Sequence, residues 1–293
     1  MTHESLHKEL LSTIECSISQ LFVGTYKESQ LLSAMQYSSL NGGKRIRPLL
    51  TIATGAMFNV DTQTLVQIGS AIELIHCYSL IHDDLPAMDN DELRRGKATC
   101  HIKFNEATAI LAGDALQSLA FESLSGNHLN LNAQTKLKII NLLAQSSGVI
   151  GMAGGQALDL LNTGHFISQV ELQQMHNMKT GALIKCSMLS GYIASSEFNV
   201  TVYDTLGAIA TKIGLLFQVI DDIIDITSST ESLGKTAHKD LDTNKATYVT
   251  ILGLENAQEY ANTLYLEVKS ALKKNFNAEF LLYLVDLVYN RNK

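Results

Sequence analysis

Residues 215–229, LLFQVIDDIIDITSS, set Asp221, Asp222 and Asp225 in a run of Leu, Phe, Val and Ile. Asp221 and Asp225 are four apart, so they share one helical face. A second acidic cluster, Asp83, Asp84 and Asp89 in SLIHDDLPAMDNDELRRG, follows an equally apolar segment. Charged side chains are rarely kept among apolar neighbours unless they are paired or bind an ion. Two carboxylates about 4 Å apart repel by ~4 kcal/mol at moderate effective dielectric, so such a group shares a proton or holds a cation. All-carboxylate donor sets suit a hard cation such as Mg²⁺, whose shell is completed by water and substrate phosphate. Asp83 and Asp89 are six apart, off one face of a regular helix. Pro86 between them predicts an irregular turn that brings Asp89 back.

The cations are as unevenly placed as the acids. Of five arginines, Arg45 and Arg47 fall in GGKRIRP and Arg94 and Arg95 in LRRGKATCH, leaving Arg291 near the end. Arginine is suited to forked phosphate recognition, and Lys44 and Lys97 add point charges beside it. A proton-sharing aspartate dyad would not come with such cationic clusters. SLGKTAHKD contains Gly-Lys-Thr, but Ser229 stands where a P-loop needs its first glycine, and NGGKRIRP has no Ser or Thr after its lysine. Paired acids, arginine clusters and otherwise apolar walls together predict a substrate that is a diphosphate on an apolar tail. Metal pulling on that diphosphate would drive it off and leave a carbocation in a dry pocket.

The elements that must hold these groups read as helices. Proline is limited to Pro48 and Pro86, and no sustained period-2 alternation appears. Helical spacing is expected over about 3–22, 62–84, 105–124, 132–149, 168–195, 200–228, 242–253, 255–274 and 277–290. A glycine turn in NGGKRIRPLL should lead into another helix with Pro48 in its first turn. Apolar faces this wide predict an all-α fold, a single domain over 1–293 around a central apolar cavity. The acid clusters lie about 140 residues apart and should face each other across one site. Net charge is −7, with no basic stripe, which argues against nucleic-acid binding. Cys16, Cys77, Cys100 and Cys186 show no CxxC spacing, as expected of a reduced, cytoplasmic protein. The N-terminus lacks the pattern of a secretory signal, and no apolar run is expected to span a bilayer.

Six blocks in order, GGKRIRP, YSLIHDDLPAMDNDELRRGKATCH, AILAGDAL, GMAGGQALDL, KTGALI and FQVIDDIIDITSSTESLGKTAHKD, resemble the short-chain trans-prenyl diphosphate synthases, nearest their bacterial farnesyl-forming branch. The resemblance implies that Asp83, Asp84, Asp89, Asp221, Asp222 and Asp225 bind three Mg²⁺ (Mn²⁺ being an alternative) around an allylic diphosphate. By the same resemblance Arg94, Lys179 and Lys235 contact that diphosphate. Gly43, Lys44, Arg47, His76 and Arg95 form the isopentenyl diphosphate site. Thr180 and Gln218 stand near the reacting carbons, and Gln156 and Asp159 fall in a matching block without a defined role. The implied reaction is ionisation of dimethylallyl or geranyl diphosphate, attack by the isopentenyl double bond and loss of a proton, in a homodimer. Alternatives are a geranyl or geranylgeranyl diphosphate synthase and a non-catalytic regulatory subunit, although the latter should have lost acids from one cluster. Ala98, His238 and Val249 depart from the family's usual proline, glycine and proline.

Product length should be set below Asp83. Tyr78, with Ser79 beside it, lies five residues earlier, ~7 Å along a helix. An aromatic ring there would act as a floor, and the resemblance links it to a C15 product.

Overall fold

A computed structural model describes residues 2–23, 29–227 and 245–292, so Lys235, Thr236 and His238 lie outside the described residues. Helices α1 (His3–Gln20), α2 (Gln30–Ser39), α3 (Ile46–Ala56) and α4 (Thr62–Asp83) come first. A two-strand hairpin, β1 (Leu93–Arg94) and β2 (Lys97–Ala98), precedes the short α5 (Cys100–Lys103). Then come α6 (Glu106–Ser125), α7 (Ala133–Ser147), α8 (Met152–Asn162) and α9 (Gln169–His176). A π-helical turn (Asn177–Gly181) joins α9 to α10 (Ala182–Ile193). The long α11 (Val200–Thr227) is followed by α12 (Tyr248–Leu252), α13 (Leu254–Asn275), α14 (Glu279–Tyr289) and a 3-10 turn at Asn290–Asn292. The fold is all-α, as expected.

Local chemistry sets the helix starts. Asp61, Asn105, Asn132 and Ser168 each accept a first-turn amide at a helix N-terminus, and Ser168 and Glu171 complete a capping box. Packing then decides which helices are central. α4 lies against α1, α3, α6 and α10, and α10 lies against α3, α7 and α11. Nearly every side chain of α3 and α10 is buried, so these helices have no polar face to present. Residues such as Ile68, Ile72, Leu74 and Ile75 of α4 are fully enclosed, and each contributes roughly 1.5–3 kcal/mol by leaving water.

Several expectations are corrected. On length and composition α4 is apolar enough to cross a membrane, with mean hydropathy 1.3, but its apolar window is 78% buried within the protein, as a core helix is. α2 was not expected, because its short apolar pattern carries little periodic signal. The hairpin was missed because its turn uses Arg95 and Gly96, both at positive φ, instead of Asn-Gly. The continuous helix expected over 168–195 is interrupted at Asn177–Gly181 by one wide turn. Such turns shift the phase of the side chains that follow and recur at functional sites.

Candidate active site

The two acidic clusters do face one another. A cavity of about 380 Å³ is lined by Asp83, Asp89 and Asp91 on one side and by Asp221, Asp222 and Asp225 of α11 on the other. Asp159, His176, Arg94, Lys179, Gln218 and Lys245 complete its wall. α4 ends at Asp83, and the chain folds back so that the Asp89 amide donates to the Asp83 carbonyl at 2.9 Å and the Asp91 amide to the Asp84 carbonyl at 3.2 Å. This is the irregular turn expected from Pro86. Burial raises the Asp83 carboxyl to about 6, with Lys179 opposing and Asp89 adding to the shift.

Neighbouring acids take different parts. Asp222 is buried, and its two oxygens accept from the Tyr248 amide at 2.7 Å and Gln218 Nε2 at 2.8 Å. Thr180 Oγ1 donates to Gln218 Oε1 at 3.0 Å, so Thr180, Gln218 and Asp222 form one chain linking the π turn to α11. Asp221, adjacent in sequence, is more exposed in the cavity wall and pairs with Arg291 at 2.9 Å. Arg291 also lies over the Phe217 ring, 4.0 Å from its centre. Asp84 departs from the expected set. It turns away from the acidic cavity and accepts twice from Arg94 Nε, at 2.8 and 2.9 Å.

Lysines bridge the acids from the far side. Lys179, in the π turn, places Nζ 2.6 Å from Asp159, and Lys245 lies 2.9 Å from Asp89 and 3.7 Å from Asp159. Gly155 of α8 lets Lys179 come this close, since a Cβ there would stand 2.2 Å from the Lys179 backbone nitrogen. Burial pushes the Asp159 carboxyl up, but Lys179 and Lys245 more than reverse this and leave it below the ordinary range. His176 is buried, which lowers it to about 4, so its ring is neutral at neutral pH.

A second cavity, about 390 Å³, is cationic. Gly43, Lys44, Arg45, Arg47, His76 and Arg95 line it, with Glu73 and Phe217. The hairpin separates its two arginines by their places on a tight turn. Arg94 goes to Asp84, whereas Arg95 reaches back and donates to the Gly42 carbonyl. Gly43 has φ +126, and a Cβ on it would meet the Arg95 guanidinium at 2.7 Å, so only glycine fits both demands. Burial, then Arg47 and Arg95, hold His76 well below its ordinary value, so it meets a ligand as a neutral ring. Arg47, Arg95 and Lys44 are all shifted down, first by burial, and this is the state of a pocket that an anion would relieve. Arg45 differs from the others in its cluster. It is fully buried on Glu15 at 2.7 Å, Glu73 at 3.0 Å and the Ser39 carbonyl at 2.6 Å, and it braces the loop that carries Lys44 and the first turn of α3 that carries Arg47.

Between these two lies an apolar cavity of about 310 Å³, lined by Tyr78, Ser79, Met88, Met152, Ala153, Ala157 and Leu160. Leu80, Asp83 and Lys179 border both it and the acidic cavity, while Arg47 and His76 border both it and the cationic one. Thr180 also lines it. Tyr78 is half-buried and lies edge-on to His82, with ring centres 5.7 Å apart.

The donor set of the acidic cavity is all oxygen and fits a hard divalent cation. Among the described residues no three His, Cys, Asp or Glu side chains converge closely enough to hold a metal ion unaided. A ligand's own oxygens would have to complete the shell. Sequence reasoning missed Lys245, His176 and Arg291, none of which lies in a cluster of like residues, and Asp91, which stands in the first acidic cluster beside Asp89 and Glu92. Of the expected departures, Ala98 sits in β2, where its carbonyl accepts from Tyr37 at 2.7 Å, and Val249 is a buried residue of α12. Neither displaces a site group.

Residues 28–281 match the polyprenyl synthetase family model. The chain is 51% identical over 245 residues to a farnesyl diphosphate synthase of Haemophilus influenzae, covering 83% of each. It is 44% identical over 273 residues to a farnesyl diphosphate synthase of Escherichia coli, covering 92% of this chain and 91% of that one. Its structure is similar to that of a geranyltransferase from Helicobacter pylori complexed with magnesium and isoprenyl diphosphate. That similarity has a TM-score of 0.87 and 36% identity, and covers 99% of this chain and 97% of the other.

Proposed function

The chain belongs to the polyprenyl synthetase family, and we propose that this prenyltransferase joins isopentenyl diphosphate to dimethylallyl and then geranyl diphosphate, releasing (E,E)-farnesyl diphosphate. One observation carries the reading: an acidic cavity and a cationic cavity each border the same apolar one, through different residues. Two diphosphates are thereby kept apart while their hydrocarbon parts meet.

The allylic diphosphate head enters the acidic cavity, where Asp83, Asp89, Asp221, Asp222 and Asp225 would hold Mg²⁺, with Asp84 joining if Arg94 moves to the diphosphate. Bound Mg²⁺ supplies charge neutralisation and polarisation of the leaving diphosphate. Lys179 and Arg94 take up its remaining charge. The C–O bond breaks with its electron pair going to the diphosphate, and the allylic cation stands at the border formed by Leu80, Asp83 and Lys179. Thr180 donates its hydroxyl hydrogen bond to Gln218, so its oxygen lone pairs are available to a positive centre. Arg47, Arg95, Lys44 and the neutral His76 hold isopentenyl diphosphate with its double bond directed into the apolar cavity. The π pair forms the new C–C bond, and the proton released from the adjacent carbon goes to the departing diphosphate. Water is kept out by the apolar wall, which protects the cation.

The reading extends to three Mg²⁺ or Mn²⁺ ions, one domain over 1–293, no nucleic acid or membrane partner, and a cytoplasmic homodimer. Four free cysteines, three of them buried, support the reducing location. Exposed Ile110 and Leu111 on α6 and Leu137 on α7 support association. Incubation with Mg²⁺, dimethylallyl diphosphate and labelled isopentenyl diphosphate, followed by product chromatography, tests the proposal. A C15 product is expected; C10 or C20 would move the assignment to the geranyl or geranylgeranyl enzymes, and no product would overturn it.

A further inference from the structure

Resting on the reading that the acidic cavity receives a diphosphate, we propose that Asp159 is a positioning residue that holds Lys179 and Lys245 toward it and is not itself a metal ligand. Its Oδ2 lies 2.6 Å from one ammonium and 3.7 Å from the other, and the side chain is nearly enclosed. Both lysines line the acidic cavity, as Asp159 does. They arrive from distant parts of the chain, Lys179 from the π turn and Lys245 from the irregular lead into α12, and they meet at one carboxylate.

α8 fixes Lys179 twice. Gly155 receives its backbone, and one turn later Asp159 receives its ammonium. A lysine side chain has four rotatable bonds, and anchoring both ends removes most of its freedom before a ligand arrives. Lys245 is shared between Asp159 and Asp89. Asp89 belongs to the carboxylates that would bind a cation. Once Asp89 does so it gives up Lys245, and Asp159 is the neighbouring carboxylate that retains the lysine within reach of the diphosphate. An oxygen already facing two ammonium groups is a poor site for a divalent cation, since all three charges repel.

The proposal has an unusual sign. Removing the Asp159 charge makes the cavity more positive, so an anion should bind no worse, yet turnover should fall because the lysines lose alignment. The test uses the full chain with Asp159→Asn and Asp159→Glu. Calorimetry of inorganic diphosphate without metal should show affinity for Asp159→Asn equal to wild type or up to roughly 10-fold tighter. Its kcat should fall roughly 10- to 100-fold, as for a small misplacement of a binding group, with KM for isopentenyl diphosphate unchanged. Asp159→Glu should recover part of the loss. Weaker diphosphate binding, an unchanged kcat, or no rescue by Glu would each overturn the proposal. So would a rise in the Mg²⁺ concentration for half-maximal rate, which would make Asp159 a ligand. A wild type that makes no product would refute the functional reading alone, and the metal-free titration would still test the lysine geometry.

Discussion

Asp221 and Asp222 are adjacent, both line the acidic cavity, and both should be needed for turnover, yet the fold treats them differently. Replacing each with alanine should separate catalysis from stability. Asp222→Ala leaves the buried Tyr248 amide without its acceptor at 2.7 Å, which costs about 1–3 kcal/mol. Gln218 also loses its partner, but it is half-buried beside the cavity and can turn to water, so it adds ~1 kcal/mol or less. The sum, ~1–4 kcal/mol, corresponds to a fall in Tm of ~2–8 °C at ~2 °C per kcal/mol for a chain of this size. Asp221 carries 41% side-chain exposure and a single contact with Arg291, so Asp221→Ala should cost ~0–1 kcal/mol and ~0–2 °C. Thermal unfolding followed by circular dichroism, with chelator present, measures both without catalysis. If the two variants melt within about 1 °C of each other, the division of labour between these acids is wrong.

Tyr78→Ala should open the floor of the apolar cavity and shift product from C15 toward C20 on chromatography; unchanged C15 output would remove Tyr78 as the floor. Mg²⁺ should bind weakly until a diphosphate is present, because Asp84, Asp89 and Asp221 already face Arg94, Lys245 and Arg291; tight calorimetric binding of Mg²⁺ alone would contradict this. Glu73→Gln should destabilise the fold by about 1–3 kcal/mol in urea titration, because it leaves the buried Arg45 with Glu15 as its remaining carboxylate, and should raise KM for isopentenyl diphosphate through the loop that Arg45 braces. His176 is held neutral by burial, at about 4 when folded against about 6.5 unfolded, so its contribution is complete above pH 6.5 and is lost as pH falls toward 4, at ~1.4 kcal/mol per pH unit. His176→Gln should flatten the stability profile in that window, and a parallel profile would assign the acid sensitivity to other groups.

Much of the fold was legible because helices this apolar repeat their signal every turn. The acid clusters were legible because carboxylates amid Leu and Ile have few alternatives. What could not be read was which face each one takes. Asp221 and Asp222 look alike in DDIID, and distant partners separate them, the Tyr248 amide on one and Arg291 on the other. Arg45 reads like Arg47, yet a left-handed φ of 47° and two distant glutamates take it into the core. Lys245 is one lysine among many in the sequence, and its meaning comes from Asp89 and Asp159, both far away in the chain. The π turn left no periodic trace, since one extra residue in NMKTG is too short to alter an apolar pattern.

α4 carries Glu73 and His76 at the cationic cavity, Tyr78 and Ser79 along the apolar one, and Leu80 and Asp83 at the acidic one. It is a single rod with no proline or glycine after Gly69, and its interior is clamped on several sides. His76 and Asp83 are seven residues apart, two turns and ~10 Å at helical rise, so they project from nearly the same side. The gap between the two substrates' anchors is therefore a fixed gauge cut into one stiff part. An insertion of one residue between them would rotate one anchor by about 100° relative to the other. Evolution can retune the depth of the pocket at Tyr78 by exchanging side chains, but it cannot stretch the separation of the two heads without rebuilding the rod.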